Sequence, residues 1–212
     1  YSVCIPLGLL KALRHRTWID TGTSVLIFMS YAVPGYVLGI WLVVFLAARL
    51  HCFPMSGFVS ENFSSLTTLG KASDLFSHSV LPLVCYLVSS FAFVTLLMKN
   101  QLMDNLAADY MRTAVAKGAS YRRSVLRHAL RNSLIPIATD FGQNISLLVF
   151  GSFLIETIFD IDGFGLLGYT STLDRDYPVV MGVLLLTSLL LLLGNILSDV
   201  LVALVDPRVR FA

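Results

Sequence analysis

Long uncharged runs separated by short polar clusters dominate this chain. No Asp, Glu, Lys or Arg occurs in the 28 residues between Asp20 and Arg49, the 24 between Asp74 and Lys99, or the 22 between Asp176 and Asp199. A helix rising ~1.5 Å per residue crosses a hydrocarbon core of roughly 30 Å in about 20 residues. The pattern predicts membrane spans over 21–48, 75–98 and 177–204. A fourth, over 134–159, is less clean, because Pro136, Asp140, Gln143 and Asn144 precede the apolar run Ile145 to Ile155. Pro34 and Gly35 lie inside the first span and predict a kink there. In the last span Leu fills eight of the ten positions from Leu184 to Leu193, each favouring insertion by roughly 0.3–0.6 kcal/mol.

Composition sharpens this picture. Hydrophobic residues make up 56% of the 212, charged residues only 13%, and the mean hydropathy is +0.78. So few charges cannot cover a soluble surface, and disorder is excluded by the same numbers. The short alternating segments of a membrane β-barrel are absent. The chain reads as an all-α, polytopic membrane protein. Tyr1 to Leu10 is apolar but too short to cross alone, and it lacks the basic start and cleavage site of a signal peptide. It reads as the end of an earlier helix, with residues 1–16 forming that end and a turn, so the sequence is expected to be a fragment. Cys4, Cys52 and Cys85 match no metal or redox spacing. The net charge of +2 gives no argument for nucleic acid.

Charge placement sets an expected orientation. The turn after the first partial helix carries Lys11, Arg14 and Arg16. Segment 99–133 carries Lys99, Arg112, Lys117, Arg122, Arg123, Arg127 and Arg131, and the C-terminus carries Arg208 and Arg210. Together these hold 12 of the 15 basic residues. The alternate connections hold only Arg49, Lys71 and Arg175, beside Glu61, Asp74, Asp160, Asp162, Asp174 and Asp176. The positive-inside rule places the basic regions and the C-terminus in the cytoplasm.

Segment 99–133 is more than an anchor. Met103, Ala107, Met111 and Val115 recur at i+4, predicting one helix with an apolar stripe, for which Asp104 suits the start and Lys117 the end. Gly118 suits a left-handed C-terminal cap, and Ser120 an N-cap for a second helix. Two short helices around a Gly-Ala-Ser corner make a rigid knob. Arg123, Arg127 and Arg131 form a like-charge i+4 ladder, unfavourable by roughly 0.2–0.5 kcal/mol per pair in an isolated helix, which calls for lipid phosphates or an acidic partner.

Polar groups in the spans are candidates for a pathway. Asp140, Gln143 and Asn144 recur at i+3 and i+4, and Asn195 and Asp199 close the last span. A bland alternative is helix–helix hydrogen bonding or snorkelling, favoured for Asp199. The four histidines are scattered. Segment 160–176 is acidic, aromatic and interrupted by Gly163, Gly165 and Gly168, long for a simple connection. No phosphate-binding loop is present, the nearest fragment being Gly70-Lys71-Ala72-Ser73, and no HExxH or nucleophile elbow occurs. No catalytic or metal-ligating residue is assigned.

The run DYMRTAVAKGASYRRSVLRHALRNSLIP strongly resembles the cytoplasmic loop of permease subunits of bacterial ABC importers, in the oligopeptide/dipeptide/nickel branch. LIETIFDIDGFGLLGYTSTLDRDYPVVMG and NILSDVLVALVDPRVRF match further along, so the resemblance covers essentially the whole chain. Within that branch it looks most like the Yej-type peptide permeases. The resemblance implies a type I importer permease bundle of about four full spans plus the end of an earlier one, in the bacterial inner membrane. It implies that the knob is a coupling helix docking a separate ATPase, through Arg112, Thr113, Ala114, Lys117, Gly118, Ala119 and Ser120. The family pattern is Glu-Ala-Ala, three residues, then Gly; here Arg112 replaces the Glu, as fits this branch. The usual Leu-Pro pair appears as Leu130-Arg131, with a proline only at Pro136. The resemblance also implies a surface for an external solute-binding protein in segment 160–176, with Asp160, Asp162, Gly163, Asp174 and Arg175 as candidates.

The expected partners are a second homologous permease, two ATP-binding-cassette subunits that use the ATP, the binding protein and membrane lipid. This chain itself is expected to bind no cofactor and to hydrolyse nothing. The competing readings are a proton-coupled secondary transporter using Asp140 and Asp199, which lacks a supporting inverted repeat, and a non-transporting scaffold, which leaves the knob unexplained. Peptide, peptide-like antibiotic, nickel and other small solutes all fit the sequence.

Overall fold

Backbone groups in lipid must bond within their own segment, and the described residues do so through helices. The computed structural model describes residues 1–206, and no strand occurs among them. The helices run α1 (Cys4–Leu13), α2 (Trp18–Ala32), α3 (Gly35–Leu42), α4 (Thr68–Ala107), α5 (Asp109–Ala116), α6 (Tyr121–Ser124), α7 (Leu130–Phe150), α8 (Phe153–Phe159), α9 (Phe164–Leu173) and α10 (Tyr177–Val205). π-helical turns extend α3 through Val43–Arg49 and join α6 to α7 through Val125–Ala129.

Among the described residues, α10 alone is by itself long and apolar enough to cross a membrane. The α2/α3 pair, broken at Pro34, and the two stretches of α4, Thr68–Val88 and Ser90–Ala107, reach the same standard as pairs. Pro34 has extended backbone (φ −58°, ψ 139°), so the expected kink is a full interruption. The stretch 134–159, expected to be one helix, is two. Gly151 takes φ +70° and ends α7, and α8 starts at Phe153. A residue with a Cβ is disfavoured at that angle. The stretch 160–176, expected to be a connecting segment, contains the ten-residue helix α9.

The chain divides into two compact units. The first comprises Tyr1–Ser30, Ser90–Ser146 and the chain from Leu189. Its core joins Cys4 and Ala12 of α1 with Val94, Met98 and Leu102 of α4, Met111 of α5, Val125, Ala129 and Ile137. Within this unit α7 and α10 approach closely at Gly142, where an added Cβ would overlap the Gly194 carbonyl. Ser198 ties the pair, accepting from the Gly142 amide (2.8 Å) and donating to the Thr139 carbonyl (2.9 Å). Small residues at helix crossings are how membrane helices gain contact, since lipid removes the hydrophobic drive between them.

The second unit comprises Tyr31–Ser89 and Leu147–Ser188. Its core is Leu42, Leu81, Cys85, Ile155 and Phe159. In its loop before α4, the Ser60 hydroxyl and amide both donate to Asp74. Those two bonds hold the Asp74 carboxyl below its ordinary range.

Candidate functional site

The Gly-cornered knob is built by two local motifs. Helix α5 ends at Lys117 in a Schellman arrangement: the Gly118 amide donates to Val115 O (2.9 Å) and the Ala119 amide to Ala114 O (3.2 Å). Gly118 sits at φ +88° with open space where a Cβ would stand, so backbone conformation rather than packing requires glycine. Ser120 then N-caps α6, its hydroxyl accepting from the Arg123 amide at 3.4 Å.

The start of the knob differs from expectation. Asp104 does not begin a helix; it lies inside α4, which runs to Ala107. Ala108 is extended (φ −69°, ψ 148°), and α5 starts at Asp109. The expected single stripe is therefore cut between Ala107 and Met111. Met111 is buried in the first unit's core, whereas Val115 is exposed. A polar relay spans the cut. Tyr110 Oη donates to Asn105 Oδ1 (2.5 Å), and Asn105 Nδ2 donates to Gln101 O (2.8 Å) and Ser133 Oγ (3.1 Å). Helix α5 is thus held to both α4 and α7.

Of the proposed coupling residues, Arg112, Thr113, Lys117, Gly118 and Ser120 are exposed, and Ala114 and Ala119 are half-buried. Arg112 lies 3.8 Å from Asp109, both almost fully in solvent, a pair of little energetic weight. Ser120, Arg122, Arg123, Leu126 and Arg127 line an open cleft of about 400 Å³. The π-helical turn Val125–Ala129 interrupts the register of the arginine ladder. Arg131 leaves it altogether, its Nε donating to Val205 O at the end of α10 (2.7 Å). Arg208 and Arg210 lie outside the described residues.

The candidate pathway group is only partly assembled. Asp140 and Asn144 meet Tyr1: Tyr1 Oη donates to Asp140 Oδ2 (2.9 Å), and Asn144 Nδ2 donates to that oxygen (2.6 Å) and to Tyr1 Oη (3.0 Å). Gln143 is exposed and makes no part of this triad, and Asp199 is exposed on α10. A 100° step per residue puts Gln143 and Asn144 on diverging sides of one helix.

Segment 160–176 places Asp160, Asp162, Asp174 and Arg175 in solvent and Gly163 half-buried. Asp160 (φ 53°) and Arg175 (φ 58°) both take left-handed backbone, Asp160 at the end of α8 and Arg175 just after α9. Asp162, Gly163, Phe164, Leu166, Leu167 and Thr170 line a second open cleft of about 400 Å³. What organises this corner is a residue that sequence reasoning passed over. Glu156 is buried and accepts from the Gly165 amide (3.4 Å) and the Leu166 amide (2.5 Å), the second and third residues of α9. It caps a helix that begins eight residues later, and the residue directly before that helix is Gly163, which has no side chain to signal a cap.

A second unadvertised cluster lies in the first unit. Lys11 and Lys99, read from sequence as cytoplasmic basic residues, both converge on Asp20. Lys11 is fully buried; its Nζ lies 3.1 Å from Asp20 Oδ1 and donates to Asp20 O (2.9 Å), Thr23 Oγ1 (2.8 Å) and Ser24 Oγ (2.8 Å). Lys99 Nζ donates to both Asp20 carboxylate oxygens (2.7 and 2.9 Å). The Arg16 amide also donates to Oδ2 (3.2 Å), and His15 Nδ1 lies 3.2 Å from the same oxygen. Burial pushes the Asp20 carboxyl up, but the bonds from Lys99, Lys11 and Arg16 outweigh it and hold the group well below the carboxylate range.

Residues 4–211 match the family described as binding-protein-dependent transport system inner membrane component. The chain is 42% identical over 214 residues to the peptidoglycan transport system permease protein YejB of Agrobacterium fabrum, covering 100% of this chain and 59% of that protein. It is 40% identical to the inner membrane ABC transporter permease protein YejB of Escherichia coli O157:H7, with the same coverage. It is 35% identical to the oligopeptide transport system permease protein AppB of Bacillus subtilis, covering 99% of this chain and 65% of that one. The chain thus spans 59–65% of the length of these relatives. With a match across nearly its whole length, and an all-helical fold that agrees, the chain belongs to the family of inner membrane components of binding-protein-dependent transport systems.

Proposed function

We propose that this chain is the channel-forming part of a permease subunit in an ATP-driven importer, and that it passes peptides or similar small solutes into the cytoplasm. The names of its relatives, which speak of ABC permeases and of peptidoglycan and oligopeptide transport, support the solute class and speak against a gradient-driven transporter. In this reading the chain pairs with a second permease and two ATP-binding-cassette subunits, and an external binding protein delivers the solute near segment 160–176. The C-terminus and segment 99–133 face the cytoplasm, and the membrane crossings are 21–48, 75–98, 134–159 with its break at Gly151, and 177–204.

One observation carries the mechanism. Helix α5 is anchored on its inner side, by Met111 in the core and by the Tyr110–Asn105–Ser133 relay, while Arg112, Thr113 and Lys117 are presented to solvent. A partner gripping the exposed side moves α5, and the relay passes that movement to the ends of α4 and α7. The protein then works as a two-state switch whose equilibrium the partner's nucleotide state biases, and it performs no chemistry of its own. ATP binding and hydrolysis belong to the partner subunits.

The test is co-purification of the whole permease, mildly solubilised from its native membrane, with an ATP-binding-cassette subunit. Wild type should retain the ATPase. Gly118→Arg, which strains the left-handed corner and adds bulk to the docking face, should insert normally but lose retention or lose coupling between hydrolysis and uptake. Normal coupled uptake by Gly118→Arg removes the coupling role of the knob.

A further inference from the structure

The Lys11–Asp20–Lys99 cluster is not explained by membrane anchoring. An anchoring lysine reaches water or headgroups, whereas Lys11 is fully buried and Lys99 nearly so, at 12% side-chain exposure. Nor is it a simple neutral pair. Two ammonium groups share one carboxylate, so the site carries an excess positive charge, with His15 beside it. Burying unbalanced charge is unfavourable, and stability alone is better met by one lysine and one aspartate.

Placement shows what the second lysine adds. Lys11 is in the last turn of α1 and Asp20 in the first turn of α2. These two already form a local pair, nine residues apart. Lys99 comes from α4, 79 residues beyond Asp20, and is bracketed by the fully buried Met98 and Leu102. It stands eight residues before Ala107, where α4 ends and the knob begins, about 12 Å along the helix at 1.5 Å per residue. Between Lys99 and that end lies Asn105, the hub of the relay to α5 and α7. The last turns of α4 are therefore the stem of the knob, and Asp20 grips the stem.

We propose that Lys99 is a positioning residue for transport: its bidentate bond to Asp20 fixes the stem of α4 to the α1–α2 elbow, so that displacement of the knob is delivered to α1 and α2 rather than dissipated by bending of α4. This inference rests on the importer reading above. Lys11 closes the elbow through its own bonds to Asp20, Thr23 and Ser24, and Lys99 supplies the connection to α4.

The two lysines are thereby separable by experiment. Lys99→Met leaves a balanced Lys11–Asp20 pair, so the unit should remain folded. Folding is read in a Cys52→Ser background from protection of the buried Cys4 thiol against maleimide in intact membranes. The assembled importer, with its ATPase and binding protein, is reconstituted in vesicles, and peptide uptake and ATP hydrolysis are measured together. Expected is near-normal hydrolysis, with uptake per ATP down about tenfold in Lys99→Met, the scale of an ordinary coupling energy. Lys99→Gln, which keeps a donor for Asp20, should lose less, and Lys99→Arg, which keeps the charge and a bidentate grip, least. If Lys99→Met fails to protect Cys4, the ratio in Lys99→Gln against Lys99→Arg decides. A wild-type ratio in the uncharged variants overturns the proposal, and so does an equal loss in all three. Absence of ATP-driven uptake by the wild-type assembly instead overturns the importer reading itself, which separates the two failures.

Discussion

Asp20 and Glu156 are both buried carboxylates, yet the molecule satisfies them by opposite means. Asp20, in the first unit, is surrounded by full charges: two lysine ammonium groups, supported by one backbone amide. Glu156, in the second, faces no cation within ion-pair distance among the described residues and is met by two backbone amides at the start of α9, where the partial positive charge of the helix lies. The difference bears on what each carboxylate can do. A cap holds one short helix in place and is replaceable by another acceptor. A charge cluster drawn from α1, α2 and α4 fixes three helices at once and fails as a whole when its centre is removed.

The largest expected effect follows from that contrast. Asp20→Ala leaves two buried ammonium groups facing each other and should destabilise the first unit by about 3–5 kcal/mol, the range for breaking a buried pair. Glu156→Ala deprives two amides of an acceptor and should destabilise the second unit by about 1–3 kcal/mol. The buried thiols report the units separately, Cys4 for the first and Cys85 for the second. In a Cys52→Ser background, heating membranes with a maleimide should label Cys4 at lower temperature in Asp20→Ala and Cys85 at lower temperature in Glu156→Ala. Labelling of the same cysteine in both variants, or a larger shift from Glu156→Ala, breaks the comparison.

Smaller effects sharpen it. Gly118→Ala forces a Cβ into left-handed backbone and should destabilise the corner by about 1 kcal/mol, read as faster hydrogen exchange in α5 with Cys4 and Cys85 unaffected. Ser120→Ala removes an N-cap and should weaken α6 by about 0.5–1 kcal/mol, at the low end because its bond is long; exchange at the Arg123 amide reads it. The smallest effect is a pH dependence at Asp74. Its folded pKa is depressed, so the tie to Ser60 contributes fully above the ordinary aspartate value of about 3.9 and is lost as pH falls below it. After correction for intrinsic rates, protection of the Ser60 amide should decline as the medium is acidified through that range, and Ser60→Ala should not change the protection of α5.

Sequence legibility divides along the same line. The knob was legible because its signals are adjacent: Gly118 needs only its own φ, and Ser120 caps an amide three residues away. The break at Pro34 was legible for the same reason. The start of the knob was not, because the i+4 recurrence from Met103 to Val115 continues through a backbone turn at Ala108 that no proline or glycine marks. Glu156 was hidden because it caps a helix from the side, and the usual signal is a cap residue directly before the first turn. The Asp20 cluster was hidden more deeply, since the charge pattern of Lys11 and Lys99 is that of cytoplasmic anchors and nothing in their spacing brings them to one carboxylate. Spacing suggested that Gln143 belongs with Asp140 and Asn144, but the partner that selects the face is Tyr1, 139 residues before Asp140. The family was legible only as a resemblance, carried by the runs around Gly118, through segment 160–176 and at the end of the chain, and it is the family that the comparisons show.

The most direct measurement is ATP-driven uptake of a peptide by the whole permease, reconstituted in vesicles with the ATP-binding-cassette subunits and binding protein proposed as its partners, with hydrolysis followed in the same sample. Wild type should take up peptide in proportion to the ATP consumed, and Gly118→Arg should hydrolyse ATP without uptake or lose the ATPase. Peptide uptake that follows an imposed proton gradient, proceeds without any ATPase and is unchanged in Gly118→Arg would contradict the importer reading.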